Sequence, residues 1–382
     1  FLEIWPNSVR FLNWVGVIEV EGIAIEILPK VANPGSRDSR EIEIVQWKRI
    51  LLDLLRFAGQ FEVRAPEAAM LGLQDRTLLD ILFSQFLDAV ETLLREGLVK
   101  RYRKVPALRT ALKGRLDLVE TMRHGHAHAE RFSTISFEYD RINRINLILR
   151  SAVESSALFA PTGFSRGRAR NISLEFAEWP QVAITSKDFD SLRFDRKTER
   201  YRRAINLARL ILDKDNPDLA SGGSRVFSLL FDMNTLWEKA ILGRLRREAR
   251  QRPGPRVHAQ RSKVLWRSSE GQAKTVRPDI ILEDLNGHRV IVDTKWKLMT
   301  KELPSDQDLR QMFVYDLLWN APEAFLVYPS MTGPWGVTGR YEPLTDGFSR
   351  TCGLIATNCD PRAWKTEKLL DEIGRNLQRE AI

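Results

Sequence analysis

The chain has 382 residues, of which 43% are hydrophobic and 29% charged, and 59 basic against 50 acidic residues give a net charge of +9. No run of about 18 apolar residues exists to span a membrane, no basic segment precedes an apolar run as in a secretory signal, and two cysteines cannot form a disulfide scaffold. At about 150 residues per domain, we expect two or three domains in a reducing, cytoplasmic compartment. The basic excess favours a polyanionic partner such as nucleic acid.

The first 130 residues are predicted to form an N-terminal region of strands and helices. Two strand-like runs at 14–18 and 23–27 are followed by amphipathic helical patterns at 41–59 and 75–97. The second helix has an apolar stripe at helical spacing, made of Leu78, Leu79, Leu82, Phe83, Phe86, Leu87, Val90 and Leu94.

Basic residues concentrate in three clusters. These consist of Lys100, Arg101, Arg103, Lys104, Arg109, Lys113 and Arg115; of Arg193, Arg196, Lys197, Arg200, Arg202 and Arg203; and of Arg244, Arg246, Arg247, Arg250 and Arg252. A single cluster is typical of a solvated surface. Three of them in a basic chain favour contact with phosphate groups, without indicating which cluster makes that contact and which meets a protein partner.

A polar, glycine-containing segment at 215–224 is the best linker candidate. The region at 131–225 is predicted to be mainly helical and carries basic clusters. Beyond it the pattern changes to helix, hairpin, helix and strand. We therefore place a domain boundary there and assign 226–382 to a C-terminal α/β domain.

A hairpin in this last domain carries the candidate chemistry. Residues 277–296 read Arg-Pro-Asp-Ile-Ile-Leu-Glu-Asp-Leu-Asn-Gly-His-Arg-Val-Ile-Val-Asp-Thr-Lys-Trp, with β-branched runs on both sides of a turn. The Asn-Gly dipeptide alone suggests a two-residue type I′ turn. That register sets Asp279 opposite Thr294, so that its side chain points away from Asp293.

A second register follows from a type I turn over Leu285-Asn286, with Gly287 in the left-handed region as a G1 bulge. An aspartate at the first turn position, here Asp284, and glycine at the fourth both suit this turn. It sets Asp279 directly opposite Asp293 on one face. A structure with this register is expected to show Gly287 at positive φ and two carboxylates close enough to share an ion.

The second register gathers two carboxylates and an ammonium group at one end of the hairpin. Lys295 follows Asp293 by two residues and therefore shares its face. Two oxygen ligands on rigid strands suit Mg²⁺, which keeps several waters and bridges to substrate phosphate. The metal would activate water, while the lysine holds the nucleophile or neutralises the transition state. Both strands are apolar on both faces, so these charges lie beside a core, where they are costly unless function requires them.

The Asp-x-Lys pattern is specific within this chain. Only one other lysine follows an acidic residue at this spacing, in Asp195-Arg-Lys197, and no apolar strand precedes it. Pro217-Asp218 likewise has no strand behind it. We therefore favour a metal site at the hairpin over a structural Asp–Lys pair at the end of a strand.

Helices on both sides of the hairpin supply further candidates. Upstream, Glu238 lies at the edge of an apolar stripe and is predicted to be a third acidic metal ligand, with a surface glutamate as the alternative. Downstream, Gln311 and Tyr315 lie four apart on one helical face. They are predicted to orient the lysine or a scissile phosphate, with helix capping and core packing as the alternatives.

The remaining motifs predict no further chemistry. Alternating histidines at 124–128 are typical of a solvent loop, and Cys352 and Cys359 of buried apolar positions. No lysine follows a glycine, so the chain lacks a Gly-Lys-Ser/Thr phosphate loop and is not expected to hydrolyse nucleotide by itself.

The helix with Glu238, the Pro-Asp and Asp-x-Lys elements and the Gln-x-x-x-Tyr helix together resemble the PD-(D/E)xK nuclease superfamily. More narrowly, the chain resembles the McrC family, the nuclease subunits of McrBC-type modified-cytosine-dependent restriction systems. Trp237 stands where that family's pattern has phenylalanine. The similar segments are 16–18, 25–30, 112–117, 144–148, 231–238, 293–297, 311–315 and 326–329.

The resemblance implies a PD-(D/E)xK core, with a mixed central sheet flanked by helices, behind an N-terminal region (1–130) that docks on a partner. It implies Asp279 and Asp293 as metal ligands, Lys295 as the catalytic lysine and Glu238 as a third acid whose position varies. The implied partners are double-stranded DNA, cleaved with Mg²⁺, and an McrB-like AAA+ GTPase ring. That ring binds the GTP, selects modified DNA and is stimulated by this subunit.

The resulting hypothesis is a Mg²⁺-dependent endonuclease subunit of such a restriction system. One alternative is a non-cleaving adaptor that activates the motor, against which the intact set of Asp279, Asp293 and Lys295 argues. The other alternative is a repair-type nuclease of the same superfamily with another partner. A neighbouring open reading frame for an AAA+ GTPase would separate that alternative from restriction.

Overall fold

The computed structural model describes residues 2–5, 8–20, 23–29, 37–59, 77–124, 131–212, 226–251, 255–297, 303–331, 333–342 and 349–378. The predicted linker at 215–224 and the histidines at 126 and 128 lie outside these ranges.

Sixteen strands and ten helices form within the described ranges. The strands are β1 (Leu2–Trp5), β2 (Ser8–Phe11), β3 (Trp14–Val20), β4 (Ile23–Ile27), β5 (Arg101–Arg109), β6 (Arg115–Leu116), β7 (Phe132–Asp140), β8 (Val226–Asp232), β9 (Arg256–Ala259), β10 (Lys263–Arg267), β11 (Ala273–Val276), β12 (Ile280–Glu283), β13 (Arg289–Thr294), β14 (Glu323–Ser330), β15 (Trp335–Arg340) and β16 (Thr351–Asn358). The helices are α1 (Arg37–Phe57), α2 (Leu78–Glu96), α3 (Leu118–His124), α4 (Arg144–Phe159), α5 (Gly163–Leu174), α6 (Ser186–Asp190), α7 (Arg202–Leu212), α8 (Met233–Arg250), α9 (Asp306–Trp319) and α10 (Leu369–Gln378).

The chain divides into two compact units, each built from separate segments of sequence. The larger unit contains Phe1–Gly16, Glu26–Asp75 and Leu230–Ile382, and the smaller contains Val17–Ile25 and Arg76–Leu229. The sequence-based division into three consecutive domains, 1–130, 131–225 and 226–382, stays a prediction. It was drawn from local composition, which carries no information on segments that pack together across long stretches of chain.

In the smaller unit, the predicted helix at 75–97 is observed as α2. Thr77 and Asp80 form a capping box, in which the Asp80 amide donates to Thr77 Oγ1 and the Thr77 amide to Asp80 Oδ2. The helix ends at Gly97, whose φ of 84° suits glycine. The predicted apolar stripe is buried except for Leu94, which is half-buried. The unit also contains α4, α5, α7 and a three-stranded antiparallel sheet in the order β5-β7-β6.

A six-stranded mixed sheet organises the larger unit. Its order is β15-β16-β14-β13-β12-β9, with β14 parallel to both β13 and β16 and the other pairs antiparallel. This confirms the predicted α/β class with a mixed central sheet. Strands β12, β13 and β14 are buried along nearly their whole length, because both of their faces are apolar.

Helices cover this sheet and fix the ends of the hairpin strands. Met312, Tyr315 and Trp319 of α9 pack against Ile281 and Ile291 in one buried cluster. Helix α8 packs against β9 and β13, and its predicted apolar stripe is buried. That stripe consists of Met233, Leu236, Trp237, Ala240, Ile241 and Leu245. The chain therefore holds both predicted helices against the hairpin.

Within the described ranges, no helix combines the length and apolar character needed to cross a bilayer. Cys352 and Cys359 are free and buried, and their burial was predicted from the sequence. Burial raises the pKa of both thiols to about 12.

The carboxyl group of Asp316 in α9 is fully buried, and neither of its oxygens has a hydrogen-bond partner in the described structure. Burial raises its pKa to about 8, against the opposing charge of Arg350. The unfolded chain releases this proton near the ordinary value of 3.8, whereas the folded chain keeps it. Stability is therefore fully present at acid pH and is lost as the pH rises towards 8.

We expect Asp316→Asn to stabilise the protein by at least about 2 kcal/mol at pH 8 and to have a much smaller effect at pH 4, since each pKa unit corresponds to about 1.4 kcal/mol. Urea unfolding at the two pH values measures the difference. Asp306→Asn, an exposed position on the same helix, is the matched control. Equal responses of the two variants would contradict the burial argument.

Candidate active site

The hairpin adopts the second of the two predicted registers. Ile280 pairs with Val292 and the ladder runs in step to the turn, which places Asp279 directly opposite Asp293. Gly287 has a φ of 82°, as the G1 bulge requires. The register and the turn are thus confirmed, and the type I′ alternative is wrong for this hairpin.

Asp284 is the residue that selects this turn. Its Oδ1 accepts hydrogen bonds of 2.8 Å from the backbone amides of Asn286 and His288. Its own amide donates to the His288 carbonyl at 3.0 Å. The turn is therefore fixed by a local side chain, which is why the sequence predicts it.

Asp293 lies at the end of β13 and is only 2% exposed. Burial first, and the charge of Asp279 second, raise its pKa to about 6. Its Oδ2 lies 2.8 Å from Lys295 Nζ in an ion pair. Two neighbouring carboxylates at the edge of a core repel each other, so a cation at this position would be stabilising.

Asp279 is held beside this group by Thr294. The backbone amide and the hydroxyl group of Thr294 both donate to Asp279 Oδ2, each at 2.8 Å. No donor within the described residues reaches Oδ1, which leaves one oxygen of this carboxylate for a ligand.

Lys295 is surrounded by acceptors from two elements. Its Nζ lies 2.8 Å from Asp293 Oδ2, donates to Gln311 Oε1 at 3.0 Å and lies 3.5 Å from Asp308 Oδ1. Burial alone would lower its pKa, but Asp293, Asp308 and Asp279 together raise it above the ordinary value. The side chain is therefore an ammonium group at neutral pH.

Gln311 and Tyr315 tie α9 to the hairpin. Gln311 Nε2 donates to Tyr315 Oη at 2.7 Å, and this hydroxyl donates to the Arg277 carbonyl at 3.1 Å. Arg277 is two residues before Asp279, so the chain of hydrogen bonds runs from the lysine back to the strand of the first aspartate. The helix cap is provided by Ser305 instead. Gln311 thus accepts a hydrogen bond from Lys295, and the catalytic roles predicted for Gln311 and Tyr315 stay predictions.

Glu238 lies near Asp279 and is hydrogen-bonded to a residue outside the pair of aspartates. Burial and the charge of Asp279 raise its pKa, and its Oε1 accepts a 2.7 Å hydrogen bond from Gln260 Nε2. Across the ranges that the structure describes, no three histidine, cysteine or acidic side chains are grouped so as to hold a metal ion. Its role as a third metal ligand therefore stays a prediction.

The other acidic-x-Lys triplet forms a surface turn. Asp195 Oδ1 accepts from the backbone amides of Lys197 and Thr198 at 2.9 Å, and the Lys197 side chain is exposed. The same three-residue pattern thus belongs to a surface turn, with Asp195 3.7 Å from Arg101, where no buried strand precedes it.

Comparison with known proteins places this geometry in a family. A family model described as "McrBC 5-methylcytosine restriction system component" matches residues 9–329, which is most of the chain. The chain belongs to the McrBC 5-methylcytosine restriction system component family. This confirms the family predicted from the sequence motifs.

Members and structures related to the McrBC family agree with this assignment. The chain is 24% identical over 332 residues to the type IV methyl-directed restriction enzyme EcoKMcrBC of Escherichia coli strain K12, covering 80% of this chain and 90% of that protein. Its fold is similar to a chain in a refined half-complex from a tetradecameric assembly of Thermococcus gammatolerans McrB AAA+ hexamers with bound McrC. That likeness has a TM-score of 0.63 at 21% identity, covering 99% of this chain and 85% of the other.

Three residues of this McrBC-family site were missed by the sequence reasoning. Asp308 is three residues before Gln311 and seven before Tyr315, so the helical periodicity that selected the other two also marks it. Thr294 lies between the two chemical residues of the Asp-x-Lys motif and could have been found as a donor. Gln260 carries no local signal, because its position depends on the pairing of β9 with β12.

Gln260 adopts a backbone conformation that is unusual for a residue other than glycine. Its φ is 51°, its amide donates to the Asp279 carbonyl at 3.1 Å, and its side chain holds Glu238. Non-glycine residues in the left-handed region are strained, and such strain is found at functional sites. Gln260 therefore joins two of the three candidate acids.

We expect Gln260→Gly to be more stable than Gln260→Ala by about 1 kcal/mol, because both variants lose the side-chain hydrogen bond and only glycine relieves the positive φ. Urea unfolding of the two variants isolates this difference. A Gln260→Ala variant as stable as the Gln260→Gly variant would contradict the left-handed conformation.

Proposed function

We propose that this chain is the Mg²⁺-dependent endonuclease subunit of an McrBC-type restriction system. It hydrolyses phosphodiester bonds of duplex DNA when assembled with an AAA+ GTPase ring that selects modified DNA, and it stimulates that ring. The observation that carries this proposal is the opposed pair Asp279 and Asp293 at the buried end of a hairpin, with Lys295 ion-paired between that hairpin and α9.

The donor set fits Mg²⁺. The metal prefers carboxylate oxygens and is commonly bound through one or two of them, with water and substrate phosphate completing the shell. Asp279 and Asp293 supply such oxygens, and their mutual repulsion within a partly buried site is relieved by a divalent cation. These two residues would hold the ion and Glu238 would approach as a third acid. When bound, Mg²⁺ would supply an activated water and neutralise charge on the phosphate.

The raised pKa of Lys295 supports an electrostatic role for this residue rather than that of a general base. An ammonium group held at 3.0 Å by Gln311 is oriented in advance, so it stabilises negative charge that develops on the phosphate oxygens without reorganising. Asp308 Oδ1 lies 3.5 Å from the same ammonium group, and its charge helps to keep that group protonated. Tyr315 positions Gln311 and acts only through it.

Family membership supports the proposed partner and substrate. A related enzyme is named as methyl-directed, and a structure of similar fold contains McrB AAA+ hexamers with bound McrC. The basic excess of this chain supports contact with DNA phosphates. The absence of a phosphate-loop motif from the sequence supports a partner as the GTP-binding component.

Plasmid cleavage tests the proposal. The full chain is mixed with an McrB-like AAA+ GTPase from the same source, GTP and Mg²⁺, and methylated and unmethylated plasmids are compared. We expect cleavage of the methylated plasmid only, and loss of cleavage when EDTA replaces Mg²⁺. Stimulated GTP hydrolysis without any cleavage would contradict the nuclease assignment and identify the chain as an adaptor. Cleavage independent of methylation would contradict the restriction role.

A further inference from the structure

A basic cavity of about 410 Å³ lies within the larger unit, and none of the hairpin residues lines it. It is formed by the end of α1, the second half of α8 and the segment that leads into α10. Six of the side chains that line it are basic: Arg56, Arg244, Arg247, Arg362, Lys365 and Lys368. The acidic side chains of its lining are Asp53 and Glu248.

Two of these charges are explained by the fold alone. Arg244 is buried and donates to Glu248 Oε1, to Thr357 Oγ1 and to the Glu367 carbonyl, at 2.7–2.9 Å. Glu248 also accepts the first amides of α10, from Leu369 and Leu370. Arg244 and Glu248 therefore neutralise each other's charge in the lining of the cavity.

A second ion pair, between Asp53 and Arg362, neutralises part of the remaining charge. The two side chains lie 3.6 Å apart, and burial raises the pKa of Asp53. The acidic lining is therefore matched by other lining residues. No ion pair within the described residues reaches the four cations that remain, which are Arg56, Arg247, Lys365 and Lys368.

Helix dipoles explain only half of these four cations. Arg56 and Arg247 lie in the last turns of α1 and α8, where a cation is favoured by the negative helix end. Lys368 immediately precedes α10 and lies at the positive end of that helix, where a cation is disfavoured. Lys365 ends the helix Ala363–Lys365, a single 3-10 turn with little dipole of its own. Like charges around one cavity repel each other unless an anion lies between them.

The walls are rigid enough to present these charges. Gly243 of α8 approaches α1 so closely that an added Cβ would lie 2.4 Å from the Phe57 carbonyl oxygen. The Arg247 guanidinium lies 4.2 Å from the centre of the Phe57 ring, and Phe57 contacts Trp364 edge to face at 4.8 Å. The cavity has the volume typical of a small-molecule site and combines aromatic walls with guanidinium and ammonium donors, which match phosphate oxygens.

We propose that this cavity binds a small phosphate-bearing ligand, of the size of an oligophosphate, at a site separate from the nuclease hairpin. The proposal does not depend on the nuclease assignment, because none of the lining residues belongs to that site. Arg247, Lys365 and Lys368 bind the phosphate oxygens, and Phe57 and Trp364 form the apolar wall.

Calorimetric titration of the full chain with sodium tripolyphosphate, at constant ionic strength, tests the proposal. We expect saturable binding that is at least about tenfold weaker in Arg247→Ala and in Lys365→Ala. Arg246→Ala is the matched control. Arg246 is exposed and next to Arg247 but does not line the cavity, so this substitution removes the same charge outside the proposed site. Lys365→Ala makes the test independent of folding effects, since the Lys365 side chain is exposed and forms no hydrogen bond or ion pair in the described structure.

Absence of saturable binding, or equal weakening in Arg246→Ala, would overturn the proposal. A 20-base-pair duplex is titrated in parallel to separate a small phosphate ligand from the DNA backbone. If Arg247→Ala weakens duplex binding more than Arg246→Ala does, and tripolyphosphate does not bind, the cavity is a DNA contact and the small-ligand proposal is wrong.

Discussion

Lys295→Met is expected to reduce plasmid cleavage by the assembled complex by about 10²–10³-fold, the range measured when one preorganised donor to a developing negative charge is removed. Methionine keeps most of the side-chain volume and removes the ammonium group that Gln311 and Asp308 orient. Cleavage rates under single-turnover conditions measure the effect on the chemical step.

The fold is expected to survive this substitution. Asp293 loses its cationic neighbour, but its pKa is already raised by burial, so it takes up a proton instead of remaining an unpaired buried charge. A melting temperature close to that of the unmodified chain would separate a chemical effect from unfolding.

Lys197→Met is the matched control, since Lys197 ends the chain's other acidic-x-Lys triplet and is exposed. It removes the same charge from the same three-residue pattern outside the hairpin. Full cleavage by the Lys295→Met variant would place the nuclease activity in another site or another subunit.

The hairpin was predictable because its geometry is decided by residues within the hairpin. Asp284 and Gly287 select a type I turn with a G1 bulge, and that turn alone sets Asp279 opposite Asp293. The buried strands and the apolar stripe of α8 followed equally from local periodicity. Where a nearby side chain accepts the hydrogen bonds of the backbone amides in a turn, the local sequence is sufficient to predict the conformation of that turn.

The remainder of the site depends on packing between distant segments. Gln260 reaches Glu238 only because β9 pairs with β12, and Asp308 reaches Lys295 only because α9 lies against the sheet. The order of the six strands likewise depends on which edge each distant strand joins, and a pattern of apolar residues does not encode the choice. The three acids were predicted as one ligand group, whereas the structure links Glu238 to Gln260 and Asp279 to Thr294.

The double substitution Asp279→Asn/Asp293→Asn is expected to abolish cleavage, with a loss of at least about 10³-fold, because it removes both charged oxygen donors proposed for Mg²⁺. Asparagine is nearly isosteric with aspartate and can still accept the two hydrogen bonds from Thr294. Without metal, we expect the variant to have a stability close to that of the original chain, since relief of the repulsion between two carboxylates offsets the loss of the Asp293–Lys295 ion pair.

Two measurements make this prediction specific for metal binding. Calorimetric titration with Mn²⁺ is expected to show a site in the original chain that is absent from the double variant and retained in Asp306→Asn, which removes an exposed carboxylate from α9. Stimulation of GTP hydrolysis by the AAA+ partner is expected to persist in the double variant, because the hairpin is proposed to act on DNA and not on the ring. If the double variant loses both cleavage and GTPase stimulation while remaining folded, the hairpin belongs to the interface with the motor, and the two proposed activities of this chain are not separable.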